Sequence, residues 1–558
     1  MKRMRPKKLT AALLSKLLVA LCLSSATLAR ADERESLESL RQTTLALIEA
    51  LVQSGAITRE RADALLKQAQ ERAAAAPAKE PTPATQDNVV RVPYVPQVVR
   101  DQIRNEVKEE VLARARVERW GVPNATAEWT DRLRIDGDVR FRHQADRFGD
   151  ENPSPESFLA ASLGGQTRAP DFAAGTSGGL ATGNTQGDRE RLRLRARLGV
   201  VAKVSDMVSA GVRLTTGSAT DRVSTNQTLG QNLNKYSFLL DRAYIRLDPT
   251  EWLSINAGRI ANPWFSTDLV WSDNLNFDGL ATTLKLPSRT WRTFEPFVTA
   301  GFFPLREDAP PRSRRALIGA QVGFQWEASE TTRIKLGLAQ YTYQNLEGRV
   351  DPDYDAVFGA GRSYGQYEYE ASLRQRGNSL FLTNNPLEIQ SGLTPDKARW
   401  GLTSRFHPMT LTVAVELSQF SPLVVMLSGE VVKNTAFDRA EILARTGVTL
   451  VDGRDRGYQM RVAVGAQELR NRGDWQLSLA YRYLGSDAVL DAFTDGDFGL
   501  GGTNTRGYVF GASYGIDRNT NLGLRLLSAR TIDSPTVQPT LKDRFSVDSL
   551  QVDLNVRF

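Results

Sequence analysis

Cysteine is almost missing from this 558-residue chain. The single thiol, Cys22, lies within the first 31 residues, so the rest has no disulfide and no cysteine–metal site. Histidine is nearly as rare, with only His143 and His407. No paired-histidine metal motif occurs, which removes the usual signature of metal-dependent hydrolases. After residue 31 no apolar run approaches the ~18 residues of a membrane helix. An excess of one charge is also missing. The formal charge is +7, but Lys2, Arg3, Arg5, Lys7, Lys8, Lys16 and Arg30 precede residue 32 with no acid among them. Without them 64 basic side chains face 64 acidic ones, so the basicity predicts no nucleic-acid partner.

Residues 1–31 read as a secretory signal peptide: a basic start, an apolar stretch from Leu9 to Leu23, then Ala29-Arg30-Ala31. Leu21 before Cys22 fits a lipoprotein cleavage site poorly. Residues 32–72 predict a helical hairpin. Leu37, Leu40, Leu47, Ile48, Leu51 and Val52 form one apolar face, Gly55 a stop, and Ala62, Leu65, Leu66 and Ala69 the second face. Residues 73–96 are a linker rich in proline and alanine. Residues 97–130 predict a helix and a connector. The stripe of Val99, Ile103, Val107, Val111 and Ala115 suits a periplasmic coiled coil between copies of the chain, hence a homotrimer, or a solvated helix.

From residue 131 to 558 the period becomes two. Leu192, Leu194, Ala196, Leu198 and Val200 alternate with Arg191, Arg193, Arg195 and Arg197. Sixteen strands are predicted, at 132–147, 189–202, 207–216, 236–247, 252–260, 277–286, 291–303, 314–326, 332–343, 409–418, 423–433, 457–470, 475–484, 507–516, 521–530 and 545–558; an 18-strand barrel is the alternative if 397–406 is itself a strand. Connections alternate long and short throughout. The short ones are turn-like, as in Asp248-Pro249-Thr250-Glu251 and Asn471-Arg472-Gly473-Asp474. A soluble sandwich has no reason to keep that alternation. An antiparallel outer-membrane β-barrel does, with short periplasmic turns, long outer loops and an even strand count. The mean hydropathy of −0.35 suits strands that alternate between lipid and a wet lumen. The last strand sets Leu550, Val552, Leu554, Val556 and Phe558 on one face. It must pair with the first strand to remove both sheet edges. A terminal Phe558 resembles the signal that the barrel-assembly machinery reads, and lipid and lipopolysaccharide are the expected surroundings.

Three stretches resemble the bacterial "putative porin" family: RVPYVPQVVRDQIRNEVKEEVLARA (91–115) with DRLRIDGDVRFR (131–142), AGRIANPWFSTDLVWSDNLNFDGLA (257–281) and YRYLGSDAVLDAFTDGDFGLGGTNTRGYVFGASYG (481–515). The resemblance implies a barrel porin of a Gram-negative outer membrane with a small periplasmic extension. It implies a passive diffusion channel that needs no cofactor and no catalytic residue.

A pore works through the width, charge and wetting of its lumen. Strand parity turns Arg134, Arg140, Arg142, Arg191, Arg193, Arg195, Arg197, Arg213, Arg242, Arg246, Arg461 and Arg482 inward. These arginines predict a mild anion preference, or they pair with acids on neighbouring strands and brace the wall. The loop at 261–276 carries Trp264, Asp268, Trp271 and Asp273. It either folds inward as an acidic constriction or stays outside, with its tryptophans in the interfacial belt, the simpler reading. Asp487, Asp491, Asp495 and Asp497 precede Gly501-Gly502. Asp495 and Asp497 are candidate Ca²⁺ ligands, although aspartate in glycine-rich loops more often forms Asx turns. A non-conducting barrel anchored in the periplasm and a barrel hydrolase are the other classes to test.

Overall fold

A computed structural model describes residues 132–152, 184–286, 293–307, 313–350, 365–370, 372–383, 399–447, 454–532 and 545–558. The signal peptide, the helical hairpin, the linker and the helix at 97–130 lie outside the described residues. Sixteen long strands form the barrel: β1 (Leu133–Phe148), β2 (Arg189–Lys203), β3 (Val208–Thr215), β4 (Leu239–Thr250), β5 (Leu253–Ala261), β6 (Asn276–Lys285), β7 (Phe294–Arg306), β8 (Arg315–Ser329), β9 (Thr332–Gln344), β10 (Pro408–Leu417), β11 (Val424–Asn434), β12 (Arg456–Gly465), β13 (Trp475–Leu484), β14 (Thr505–Gly515), β15 (Thr520–Thr531) and β16 (Ser546–Arg557). Each pairs antiparallel with its neighbours in sequence. β16 pairs with β1 from Asp138↔Arg557 to Phe148↔Val547 and closes the ring. A two-residue strand, Gln227–Thr228, also joins β2.

The predicted strand ends hold to within three residues, except at the end of the twelfth. There the ladder stops at Gly465, not at residue 470. Gly465 has φ +136°, and a Cβ on it would lie 2.1 Å from the Trp475 carbonyl oxygen. Residues 397–406 add no barrel strand. Trp400–Leu402 pairs with Leu380–Leu382 in a separate two-stranded sheet within the connection between β9 and β10. That connection and the one at 435–455 also hold structure that strand periodicity did not predict, including the capped helix α1 (Arg439–Thr446).

The two faces of the wall are inverted relative to a soluble protein. Ile135, Val139, Phe141, Leu192, Val212, Ile245, Phe302, Val322, Leu338, Met460, Leu479 and Leu526 are exposed, while Gln144, Asp146, Thr299, Gln321, Glu430, Gln459 and Gln551 are buried. An apolar band of this extent in water would aggregate; in lipid it is the favourable surface. No described helix is long and apolar enough to cross a membrane, so the crossing rests on the strands.

The closing strand is keyed at its end. The Gly137 N–H donates to the Phe558 carbonyl at 2.9 Å, and the Phe558 N–H donates to Gly137 O at 3.0 Å. A Cβ on Gly137 would come within 2.5 Å of the Phe558 ring. Residue 137 is therefore the bare site that seats the terminal ring on the outer face.

Candidate functional site

The candidate site is the lumen, and two inward loops shape it. The loop between β5 and β6 leaves the wall at Ala261 and re-enters it at Asn276. The loop folds into the barrel and not, as expected from sequence, outside it. Trp264, Leu269, Val270, Trp271 and Leu275 are buried. Trp264 packs edge-on against Tyr341 with ring centroids 5.3 Å apart, and Trp271 against Phe277 at 5.1 Å and Tyr341 at 5.0 Å. Neither tryptophan sits in an interfacial belt. Burial of both indoles among wall aromatics holds the loop inside the barrel. A Cβ on Gly319 of β8 would lie 2.6 Å from the Trp264 ring, so that glycine makes room for it.

Polar contacts carry the loop across the lumen. Phe265 and the Gln321 side chain of β8 exchange two hydrogen bonds of 2.8 Å each. Thr267 donates to Glu430 of β11 from N–H at 3.1 Å and from Oγ1 at 2.5 Å. Asp268 accepts from Gln459 of β12 at 2.7 Å and pairs with Arg482 of β13 at 2.7 Å. β5 and β13 stand half the ring apart, so Asp268 and Arg482 meet only if the loop spans the interior.

The loop between β13 and β14 comes to the same point. Its four candidate aspartates divide into two pairs. Asp487 accepts from the Ser379 N–H at 3.0 Å and from Ser379 Oγ at 2.6 Å, and Asp491 accepts from the Tyr369 hydroxyl at 2.5 Å. These two tie the loop to residues 365–383. Asp495 and Asp497 face arginines instead. Asp495 lies 3.5 Å from Arg482, and Asp497 lies 2.9 Å from Arg142 and 3.5 Å from Arg525. Guanidinium groups therefore occupy Asp495 and Asp497, the candidate Ca²⁺ ligands. No group of three or more metal-ligating side chains occurs among the described residues. The 3.1 Å hydrogen bond from the Asp497 N–H to Asp495 Oδ1 is the Asx-type contact that aspartate makes in tight loops.

Arg482 is the hub of this assembly. It is 3% exposed, donates through Nε to Gln459 at 2.6 Å, contacts Asp268 and Asp495, and lies 4.8 Å over the Phe498 ring. One side chain thus fastens both loops to the wall.

The remaining predicted lumen arginines differ in how far they are neutralised. Arg142 binds Asp553 at 2.7 Å and 2.8 Å in addition to Asp497. Arg191 pairs with Asp146, and Arg213 with Asp241 at 2.5 Å. Arg195 and Arg197 share one carboxylate, Asp138, at 2.7 Å and 2.5 Å. Arg246 pairs with Asp248 at 2.8 Å. Arg193 makes no ion pair among the described residues and donates to the neutral Gln144 at 3.1 Å. Arg242 bonds Asn276 at 2.7 Å; Arg140 bonds Asn226, with Asp553 3.9 Å away. Arg134 and Arg461 are exposed, and neither has an ion pair among the described residues.

Two cavities flank the loops. On the short-turn side a cavity of about 500 Å³ has Asp268, Asp273, Arg461, Arg482, Arg525 and Asp553 among its lining residues. On the long-loop side one of about 460 Å³ includes Arg189, Arg191, Arg193, Arg222, Asp221 and Asp497. Burial pushes the Asp273 carboxyl up to about 6, helped by the negative charges of Asp268 and Asp495 and opposed by Arg525 and Arg482. Burial also opposes ionisation of Asp268, but Arg482 and the Gln459 hydrogen bond outweigh it and hold that carboxyl well below the usual range.

A closed 16-strand barrel with an apolar outside, a polar inside and loops folded into the lumen is an outer-membrane channel of a Gram-negative bacterium. The chain belongs to the "putative porin" family, whose sequence profile matches residues 41–558. Solved structures with a similar fold include Salmonella typhi OmpF in complex with daunomycin, at 10% identity and a TM-score of 0.38, covering 76% of this chain and 97% of that one. Pseudomonas putida OprB at high pH is 11% identical with a TM-score of 0.40, covering 77% and 96%. The anion-selective porin from Comamonas acidovorans is 12% identical with a TM-score of 0.38, covering 76% and 99%. No curated protein matches this sequence.

Proposed function

We propose that the chain is a passive diffusion channel for small hydrophilic solutes with a mild preference for anions. The observation that carries the reading is the imbalance along β2. Among the described residues, the four inward arginines Arg191, Arg193, Arg195 and Arg197 form ion pairs with only two carboxylates, Asp146 and Asp138. Rings of arginine in a constricted, wetted lumen lower the energy of an anion and raise that of a cation. Bracing and selectivity then divide the ladder. Arg191 is neutralised in place by Asp146, while Arg193 and the shared Arg195–Arg197 pair leave positive potential in the lumen. Diffusion needs no catalytic group. His143 lies on β1, 4.0 Å from Glu190, and His407 directly precedes β10. No contact joins the two histidines among the described residues. Reversal potentials in planar bilayers under a salt gradient test the selectivity. Swelling of liposomes in sugars and amino acids separates a pore from a non-conducting anchor, which would give no swelling.

A further inference from the structure

Near the long-loop ends of β12–β15 the outward face carries a cluster of tyrosines. Tyr458 stacks on Tyr483 with centroids 5.3 Å apart, and Tyr481 meets Tyr508 edge-on at 4.9 Å. Such aromatics mark the headgroup level of a membrane. Beside them in the same face, Arg506 stands opposite Tyr483 on one side and opposite Arg530 on the other. Arg506 alternates with the buried Thr505 and Gly507, and Arg530 with the buried Ala529 and Thr531, so both arginines point outward. Like charges directly opposite in an antiparallel ladder destabilise it.

Inside the barrel, a carboxylate can answer two close arginines, as Asp138 answers Arg195 and Arg197. Outside, neither Arg506 nor Arg530 makes an ion pair among the described residues. Arg506 Nε is shielded from solvent with no hydrogen-bond partner. The nearest outward acid by register, Asp548, is diagonal to Arg530 and forms no ion pair with it. Lys433 and Arg456, opposite each other across β11 and β12, extend the basic arc, and among the described residues Arg456 pairs with Asp455 alone, at 3.7 Å.

We propose that Arg506 and Arg530 form a binding site for a phosphate group of the phosphorylated glycolipid in the outer leaflet, with the tyrosine cluster packing beside it. The guanidinium fork matches phosphate oxygens in a bidentate way, and one anion between the two side chains turns a repulsive pair into a clamp. Position selects a lipid: the site faces outward at the headgroup level, off the lumen, where a basic pocket meets anionic headgroups.

The test uses the refolded full chain in detergent with three probes: bisphosphorylated lipid A, its dephosphorylated form, and inorganic phosphate. The phosphorylated lipid raises the wild-type unfolding midpoint, and Arg506→Gln/Arg530→Gln weakens its binding by about tenfold or more. The other two probes give no shift at equal concentration. Without lipid the double variant is at least as stable as wild type, because the opposed charges are gone, and its conductance is unchanged. If the double variant does not refold, Arg530→Gln alone gives the same readout with the same expected direction. Equal lipid binding by variant and wild type, equal binding of the dephosphorylated lipid, or a shift from inorganic phosphate alone would overturn the proposal. So would a variant that loses self-association while keeping lipid affinity, because the face would then be an interface between copies.

Discussion

Arginine sits on both faces of this wall on different terms. Inside, Arg142, Arg191, Arg195, Arg197, Arg213 and Arg482 each have a carboxylate within reach. Outside, Arg506 and Arg530 face each other without one. The difference teaches that a charge in a barrel has to be answered by whatever medium it meets. In the lumen the protein supplies most of the answer and leaves a remainder for solutes. On the outer face, under the proposal above, a lipid phosphate supplies it.

The inner half of that comparison breaks most readily at Arg482. Arg482→Ala strands Asp268 and Asp495 and frees both loops from the wall. Breaking a buried pair by removing one partner costs about 3–5 kcal/mol. The unfolding midpoint falls accordingly, and single-channel conductance rises as the loop at 262–275 loosens. A normal midpoint with unchanged conductance would show that the aromatic packing alone fixes the loop.

Gly319→Ala probes that packing from the other side. The added methyl meets the Trp264 ring at 2.6 Å. Overpacking of this kind costs about 1–3 kcal/mol, read as a lower midpoint with the arginine network intact.

A smaller effect comes from Asp273, which has no ion pair among the described residues. Its carboxyl is pushed up to about 6, so it is charged above that pH and neutral below it. Losing this negative charge beside Arg482 and Arg525 strengthens anion preference as pH falls from 7 to 5. Asp273→Asn removes most of the change. A pH profile that the substitution leaves intact would assign the titration to another group.

The smallest contrast lies within the ladder. Arg193→Gln lowers anion preference more than Arg191→Gln, whose charge Asp146 already offsets. Equal effects would mean that pairing does not decide which arginines a solute feels.

The wall was legible in the sequence and much of the loop structure was not, for a physical reason. In a strand, parity alone decides which side chain meets lipid, so Arg191–Arg197 and Leu192–Leu198 declare their faces. The short turns then fixed the strand count. A loop has no such period. Trp264 and Trp271 read the same whether they lie in an interfacial belt or inside, until Tyr341, Phe303 and Phe277 are known to face them. The four aspartates at 487–497 look alike in sequence. Residues 365–383, distant in the chain, take two of them, and the arginines of β1, β13 and β15 take the other two. Strand parity alone turns Glu430 inward, but its role as the seat for Thr267 depends on a contact with a loop more than 150 residues away in the chain.

The central claim is that unneutralised arginine on the inner wall sets the selectivity of an open pore. Its most direct test is the reversal potential of single channels in a planar bilayer under a potassium chloride gradient. The wild type should reverse on the anion-selective side, and the variant with Arg191, Arg193, Arg195 and Arg197 all changed to Gln should move toward zero with its conductance retained. A cation-selective wild type, or a reversal potential unchanged by those four substitutions, would contradict it.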